Sequence, residues 1–294
     1  MPRYGIAVNP AAGTLDIDRK ASVIEMIAAD LGDCVIDGYD TESAEEYKEC
    51  VKDLAKRADI ILPAGGDGTF SDALDAIDEK RQMSPIPLGS GNALAFSLRM
   101  PYSLKTKKDI EKVSEKIKNG KPHLADLIKY NGKRAFLASV GIDGHVLAER
   151  DNYIHQGING FAAYRNATIK SFFQSYSPIR TKVTVDEQVV ETPKTLSVIV
   201  TKIPFYGYGL NMVPFANLSD GYLHVLIAKS GLLRTLWGIT TSFLGSNATG
   251  QYLYGKKVRI ETESKAYLQI DSTLKEEATE FNFEVIGKKL KLIS

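Results

Sequence analysis

The stretch Asp59-Ile-Ile-Leu-Pro-Ala-Gly65-Gly-Asp67-Gly-Thr69 joins a short apolar run to a glycine-rich turn, and a helical pattern follows it to about Ile77. This order predicts a strand, a tight turn and a helix start. Glycines let the main chain approach a phosphate closely, and the amides at a helix start attract anions. The stretch therefore predicts a phosphate-binding loop, although a single glycine cluster more often serves only as a helix cap.

A second glycine turn repeats this arrangement. Gly89-Ser90-Gly91-Asn92 follows the apolar residues Ile86-Pro-Leu88 and precedes another helical segment. Both turns are expected at the carboxyl ends of strands in one sheet, where open α/β sheets bind ligands. As a pair they favour phosphate binding over helix capping. Asp67 is the only acidic residue in either turn, and we predict that it holds the magnesium ion that phosphoryl transfer requires.

The residues that precede these turns alternate between strand-like and helix-like segments. Strands are predicted over residues 4–8, 34–39 and 59–62, and helices over about 18–31 and 41–57. This alternation predicts an α/β N-terminal domain with a doubly wound parallel sheet. Neither glycine turn carries the Gly-Lys-Ser/Thr ending of a Walker loop or the dinucleotide-binding fingerprint.

The second half of the chain has a different pattern. From about residue 126 onward, strand-like runs are divided by turns, which predicts a mainly-β, sandwich-like C-terminal domain. A helix is predicted inside it over about residues 157–173. The last two apolar runs, residues 281–286 and 290–293, predict a terminal hairpin.

The composition excludes several classes of protein. A net charge of +1 with 25% charged residues argues against a nucleic-acid partner and against a disordered chain. Cys34 and Cys50 are the only cysteines, so no disulfide framework is expected. The most apolar stretch, residues 226–245, is interrupted by Lys229 and Arg234, and no transmembrane helix is predicted. Because the first residues lack a secretion signal, a cytoplasmic location is expected.

Three motifs occur in an order that resembles a known family. They are Asn9-Pro-Ala-Ala-Gly13, Pro63-Ala-Gly-Gly-Asp-Gly-Thr69 and Pro87-Leu-Gly-Ser-Gly-Asn-Ala-Leu-Ala95. Together they resemble the catalytic fold of diacylglycerol kinases and sphingosine kinases, and the third motif is more similar to the long-chain-base kinases. The resemblance implies an ATP-dependent lipid kinase that contacts a membrane surface peripherally. It leaves the lipid acceptor and a homodimer open.

The resemblance also implies the domain boundaries. The nucleotide-binding α/β domain would comprise residues 1–124, and residues 281–294 would return to it. The lipid-binding, mainly-β domain would comprise residues 125–280. This assignment extends the resemblance over nearly the whole chain, because Ala125-Asp126-Leu127 and Gly141-Ile-Asp-Gly144 are similar to segments of the family's second domain.

Site residues follow from the resemblance position by position. Magnesium would be held by Asp67 and Asp126, and Asp271 would be the general base that accepts the proton of the lipid hydroxyl. The segment Asn217-Leu-Ser-Asp220-Gly-Tyr222 resembles a turn that binds a structural magnesium ion, with Asn217 in place of an aspartate. The residues expected around the nucleotide are Asn9, Thr41, Gly65, Gly66, Asp67, Gly68, Thr69, Gly89, Ser90, Gly91 and Asn92.

Two departures keep other hypotheses open. Asp271 is followed by Ser272 and Thr273, where the family has glycine and glutamate, which is compatible with a protein that binds nucleotide or lipid without turnover. Glu276 or Glu277 could supply a carboxylate, but a charged surface loop is the favoured interpretation of both. In addition, the Gly-Gly-Asp-Gly-Thr turn is shared with NAD kinases and, in related form, phosphofructokinases, so a soluble acceptor is the second enzymatic hypothesis.

Overall fold

A computed structural model describes residues 2–78 and 81–293. The chain divides into two compact units. The first comprises Met1–Ala125, Gly207–Gly209 and Lys288–Ser294, and the second comprises Asp126–Tyr206 and Leu210–Gly287. The C-terminal return to the first unit begins at Lys288 rather than at residue 281, and a short internal segment that the sequence did not indicate also belongs to the first unit.

Both units are built from regular elements. The helices are α1 (Ile17–Leu31), α2 (Ala44–Arg57), α3 (Asp67–Ala76), α4 (Ala93–Ser97), α5 (Lys107–Asn119), α6 (Ile142–His155), α7 (Gly160–Lys170) and α8 (Leu232–Leu244), with a π-helical turn at Ser171–Ser175 and a 3-10 turn at Gly207–Gly209. The strands are β1 (Tyr4–Val8), β2 (Cys34–Asp37), β3 (Ile60–Gly65), β4 (Gln82–Met83), β5 (Ile86–Pro87), β6 (Pro122–Tyr130), β7 (Lys133–Ala135), β8 (Leu137–Gly141), β9 (Ile179–Val185), β10 (Gln188–Thr201), β11 (Leu223–Lys229), β12 (Gln251–Gly255), β13 (Lys257–Ile270) and β14 (Thr273–Ile293).

The first unit contains a parallel sheet with helices packed on it, which confirms the predicted α/β class. Strand β1 pairs in parallel with β2 and β3, with Ile6 opposite Leu62, and β3 pairs in parallel with β4 and β5. Every residue of β1 and β3 is buried, as expected for strands covered on both faces. All of these strands therefore present their carboxyl ends at one edge.

The helices of the first unit follow from their capping residues and apolar faces. The Ser43 hydroxyl accepts a hydrogen bond from the Glu46 N–H at the start of α2, a cap that contributes about 1 kcal/mol. Val51 and Leu54 on α2 are fully buried. Truncating such a leucine to alanine costs about 2–5 kcal/mol, because transfer energy is lost and a cavity remains.

The second unit is a sandwich of antiparallel strands, which confirms the predicted mainly-β class. One layer has the order β12-β11-β10-β8-β13-β14, while β9 pairs with other parts of β10 and β13. The long strands β10 and β13 therefore contribute to both layers. Val198 from the first layer and Val183, Ile260 and Phe281 from the second belong to one buried core.

Three parts of the second half differ from expectation. The predicted terminal hairpin is wrong, because Thr273–Ile293 forms one strand, β14. Its first part pairs with β13 in antiparallel fashion and its last part pairs in parallel with β4. The helix predicted over residues 157–173 is present as α7 and the π-helical turn. Helices α6 and α8 were not predicted. The apolar residues of α6 lack helical spacing, and α8 lies in the most apolar stretch of the chain, whose pattern favours neither a helix nor a strand.

Within the described residues, every helix is either too short or too polar to cross a bilayer.

Candidate functional site

The two glycine turns touch at the carboxyl edge of the parallel sheet in the first unit. The N–H groups of Leu88 and Gly89 both donate to the carbonyl of Gly65, each at 3.0 Å. A methyl group built on Gly89 would lie 2.3 Å from the Cα of Gly66, a distance that no side chain tolerates. Glycine is therefore required at this contact for the main chains to meet, and the turns form one continuous loop surface.

Asp67 links the same two turns through its side chain. It is the first residue of α3, and its carboxylate oxygens accept hydrogen bonds from the N–H groups of Ala93, at 3.0 Å, and Leu94, at 2.9 Å. Burial raises the pKa of Asp67, and the hydrogen bonds from Leu94 and Ala93 offset part of that rise. Each oxygen has further lone pairs, so the carboxylate can hold the second turn and still attract a cation.

Two asparagines complete the loop surface. The Asn9 amide donates to the Thr69 hydroxyl at 2.9 Å, which connects the end of β1 to the first glycine turn. Asn92 is buried and has a left-handed backbone with φ of 49°. Its side chain accepts from the Gly89 N–H at 3.1 Å and donates to the Gly89 carbonyl at 2.8 Å. The asparagine therefore fixes the shape of the second turn from within.

The structure brings nearly all of the predicted nucleotide residues into this surface. Asn9 and the residues of both turns form it. Thr41 lies in the loop after β2, at the same edge of the sheet, but its hydroxyl donates to the Gly38 carbonyl at 2.9 Å. Its position near a nucleotide stays a prediction.

A segment distant in sequence lies on the second turn. The N–H of Tyr208 donates to the Gly91 carbonyl at 3.2 Å, and a methyl group built on Gly91 would lie 3.2 Å from the Cα of Gly207. Tyr208 itself has a positive φ of 62°. The only signal in the sequence is the pair of glycines around this tyrosine, which indicates a tight turn but not its location.

In the second unit, the residues predicted to bind magnesium surround a lysine. Lys202 Nζ lies 3.1 Å from Asp126 Oδ2 and 2.8 Å from Asp220 Oδ1, and it also donates to the Tyr222 carbonyl. Burial raises the pKa of Asp220, but hydrogen bonds from Lys202 and the Tyr222 N–H and the charge of Lys202 give a net lowering. Asn217 uses its side-chain oxygen to accept from the Ser219 N–H at 2.9 Å.

The oxygens of Asp126, Asp220 and Tyr222 face an ammonium group. The ammonium group of Lys202 lies between these oxygens and contacts both Asp126 and Asp220. Among residues 2–78 and 81–293, no group of three or more His, Cys, Asp and Glu side chains has an arrangement suited to a metal ion. The geometry gives Asp126, Asp220 and Tyr222 an ammonium partner, and the binding of magnesium by these residues and Asn217 stays a prediction.

Asp271 lies in a tight turn between β13 and β14. Asp271 and Ser272 both have positive φ values, 43° and 65°, as required for a two-residue turn that joins paired strands. Asp271 is buried, with 4% of the residue exposed, and its carboxylate accepts from the N–H groups of Leu137, at 2.9 Å, and Phe136, at 3.2 Å. This carboxylate anchors the turn to β8, which explains an aspartate here without a catalytic role, and its role as base stays a prediction.

Another carboxylate in the second unit has properties expected of an acid or base. Asp143 is on the first turn of α6 and accepts a hydrogen bond from the Ser197 hydroxyl. Burial raises the pKa of Asp143, whereas hydrogen bonds from Ser197 and Ser139 lower it in part. Burial, and then the charge of Asp143, raise the pKa of Tyr206. The motif that contains Asp143 was recognised in the sequence, but no role was given to this residue.

Comparison with known families covers almost the entire chain. Residues 3–130 match the family described as the diacylglycerol kinase catalytic domain. Residues 137–293 match the one described as the YegS C-terminal NAD kinase beta sandwich-like domain. A protein named diacylglycerol kinase from Bacillus subtilis is 23% identical over 287 residues, which cover 92% of this chain and 89% of that protein.

Solved structures have the same fold. The crystal structure of a diacylglycerol kinase from Bacillus anthracis has a TM-score of 0.72 at 20% identity, covering 99% of this chain and 96% of that one. An NAD kinase from Archaeoglobus fulgidus in complex with ATP has a TM-score of 0.52 at 12% identity, covering 99% of this chain and 93% of that one. At these identities the likeness concerns the fold alone.

Proposed function

Since the chain belongs to the diacylglycerol kinase catalytic-domain family and its second half to the YegS C-terminal domain family, we propose that it transfers the terminal phosphoryl group of ATP to the hydroxyl of a lipid, such as diacylglycerol or a sphingoid base. The observation that carries this proposal is the loop surface formed by the two glycine turns, Asn9 and Asp67. Its main chain is close-packed and its helix starts attract anions, which suits a polyphosphate.

The reaction requires one bond to form and one to break. The acceptor oxygen bonds to the terminal phosphorus, the bond from that phosphorus to the bridging oxygen of ADP breaks, and the hydroxyl proton passes to a carboxylate. A magnesium ion bound with the nucleotide would neutralise charge on the phosphates, and Asp67 is the residue in the first unit that would hold it, directly or through water.

Two carboxylates of the second unit are candidates for the proton acceptor. Asp271 is the residue implied by the family motif, but backbone amides engage its oxygens. Asp143 has a raised pKa caused by burial, and a raised pKa brings a carboxylate closer to the value that suits a general base near neutral pH. Asp271 and Asp143 are therefore alternative acceptors of the proton of the lipid hydroxyl.

The acceptor class is supported by an unusual helix. On α8 the buried residues are the small Gly238 and Ser242, whereas the large apolar side chains are exposed, Leu233 by 82% and Leu244 by 83%. Other exposed apolar side chains of the helix are Leu232, Leu236, Trp237 and Phe243. An outward-facing apolar surface of this kind marks an interaction site.

The charge around α8 favours a lipid surface as the partner. Residues 221–260 contain no aspartate or glutamate but include Lys229, Arg234, Lys256, Lys257 and Arg259. Tryptophan and leucine beside lysine and arginine are typical of helices that lie at a membrane interface, where the cations attract anionic headgroups. We therefore propose peripheral membrane contact through α8.

The direct test is phosphoryl transfer. Labelled ATP and magnesium are incubated with a panel of lipids in mixed micelles, with NAD and fructose 6-phosphate as soluble controls. A labelled lipid supports the proposal and identifies the acceptor class, and label on a soluble compound alone contradicts it. Asp143→Asn and Asp271→Asn are compared in the same assay, and the base is the residue whose loss reduces turnover by orders of magnitude without weakening ATP binding.

A second candidate function is nucleotide or lipid binding without turnover. The observation that favours it is the commitment of the Asp271 carboxylate to the backbone of β8, together with Ser272 and Thr273 in place of the family's glycine and glutamate. ATP binding by calorimetry with no transfer to any acceptor would establish this function.

A further inference from the structure

Lys202 directly follows β10 and is a fully buried lysine of the second unit. Its side chain has no exposed surface, and neither does that of Asp126. Its Nζ lies 3.1 Å from Asp126 Oδ2 and 2.8 Å from Asp220 Oδ1, and it donates to the Tyr222 carbonyl. An ammonium group has three N–H bonds to donate, and these three oxygens account for all of them.

Two of the oxygens around Lys202, from Asp220 and Tyr222, belong to a loop, and the third, from Asp126, belongs to β6, to which the loop is hydrogen-bonded. The Asp126 N–H donates to the Leu218 carbonyl at 2.6 Å, and the Gly221 N–H donates to Asp126 Oδ2 at 2.7 Å. The Tyr222 N–H donates to Asp220 Oδ1 at 3.1 Å. The loop of residues 217–222 therefore folds against Asp126, and its oxygens converge on the Lys202 ammonium group.

Asp126 is fully buried and the Asp220 side chain is 29% exposed, and two carboxylates that face one point repel each other unless a positive charge lies between them. A magnesium ion would supply it from six oxygens at about 2.1 Å in octahedral geometry. It cannot share the space with an ammonium group that already contacts the same oxygens, since the two cations repel each other at that distance.

We propose that Lys202 is a built-in cation that takes the place of a metal ion in the loop of residues 217–222. The loop then closes without magnesium, and the folded state of the second unit does not depend on the concentration of divalent cations. The proposal does not rest on the kinase activity, because it concerns the closure of this loop in the protein without nucleotide.

The test is to remove the cation and ask whether a metal replaces it. Lys202→Met keeps the apolar stem but leaves Asp126 and Asp220 without their ammonium. We expect thermal unfolding of the wild type, measured without nucleotide, to be unchanged between EDTA and millimolar magnesium. The variant is expected to unfold at a lower temperature in EDTA and to recover part of the loss as magnesium or manganese is added.

Lys182→Met is the matched control, because Lys182 is a half-exposed lysine of the same unit, 3.6 Å from Glu261. It should show no response to divalent cations. A Lys202→Met protein that is as stable as wild type in EDTA and indifferent to manganese would overturn the proposal.

A second measurement keeps the proposal testable if Lys202→Met does not fold. Manganese binding to the wild type and to Asp220→Asn, followed by electron paramagnetic resonance without nucleotide, should give the same number of bound ions. One more manganese ion on the wild type than on Asp220→Asn would show that the loop binds a metal beside the lysine, and would contradict the proposal.

Discussion

Asp67 in the first unit and Asp220 in the second unit both precede a glycine in a turn, but their partners differ. The Asp67 carboxylate is held by the N–H groups of Ala93 and Leu94. The Asp220 carboxylate is held by the Lys202 ammonium and His224. Amide groups fix a carboxylate without cancelling its charge, whereas an ammonium group cancels it.

This difference separates two roles that look alike in the sequence. A carboxylate held by amides can still attract a cation that arrives with a ligand, and a carboxylate paired with lysine serves the fold. The following experiments test whether the two turns differ as this comparison requires.

The largest effect is expected from Gly89→Ala, which breaks the turn that Asp67 supports. The added methyl group would meet the Gly66 main chain at 2.3 Å, and relieving such an overlap costs about 1–3 kcal/mol or more. We expect a fall of at least 100-fold in ATP affinity, measured by calorimetry, because the two glycine turns must move apart to make room for the methyl group. Gly245→Ala is the control, since no atom lies within 4 Å of its added methyl group. Unaltered ATP binding by Gly89→Ala would rule out this loop as the phosphate site.

Asp67→Asn tests the charge in the same place. The asparagine amide group cannot accept from both the Ala93 and Leu94 N–H groups, so one buried donor loses its partner at a cost of about 1–3 kcal/mol. We expect phosphoryl transfer to fall by roughly two to three orders of magnitude, as for other electrostatic contributions to catalysis. Asp220→Asn, the matched variant in the second unit, should lower the melting temperature but leave turnover within a few-fold. Equal losses of turnover would contradict the comparison.

Asp143→Asn extends the comparison to a carboxylate whose side-chain partners are the hydroxyls of Ser197 and Ser139. Because burial raises its pKa, the folded protein binds more protons at Asp143 than the unfolded protein does, and its contribution to stability declines as the pH rises through that window. The difference in unfolding free energy, variant minus wild type, should therefore increase from about pH 4 upward.

Urea denaturation at several pH values measures this difference. The control is Asp53→Asn, whose carboxylate is in an exposed pair with Lys56 and has a pKa lowered by that lysine. For Asp53→Asn, the unfolding free energy of the variant minus that of the wild type should decrease as the pH rises, because folding lowers the pKa of Asp53. A flat profile for Asp143→Asn would show that the carboxylate titrates normally.

The smallest effect is expected from charge-preserving changes on α8. Leu233→Ser together with Trp237→Ser should leave the melting temperature nearly unchanged, since both side chains are largely exposed. Co-sedimentation with vesicles that contain phosphatidylserine should fall about 10-fold, because two apolar anchors are lost. Val189→Ser, at an exposed valine elsewhere in the same unit, should bind vesicles as the wild type does.

Local patterns were sufficient to predict the N-terminal part of the first unit. The alternation of strands and helices and the two glycine turns depend on neighbours in sequence, and each turn directly follows its strand. The contact of Gly89 with Gly66 could be expected because parallel strands place their carboxyl ends at one edge.

The parts that could not be predicted depend on distant residues. Lys202 is separated from Asp126 by nearly half of the second unit's sequence, and nothing near either residue indicates their pairing. The Gly207–Gly209 segment carries only a turn signal. In β14, the two apolar runs look like a hairpin because the sequence does not reveal that they pair with different strands. Helix α8 was not identified because it lies in the most apolar stretch of the chain, whose pattern favours neither a helix nor a strand.

The discontinuous composition of the first unit has a consequence for how such genes can be cut and recombined. A gene fragment that stops after residue 125 encodes the glycine turns but omits the segment at Gly207–Gly209 and the residues beside β4, where the Ser84 hydroxyl donates to the Ile293 carbonyl. The excised half would expose the edge of β4 that pairs with the end of β14. It would also expose the face of the second glycine turn that contacts Tyr208. The two halves of the gene therefore cannot be exchanged freely between relatives. A chimaera needs all three segments of the first unit, residues 1–125, 207–209 and 288–294, from the same parent.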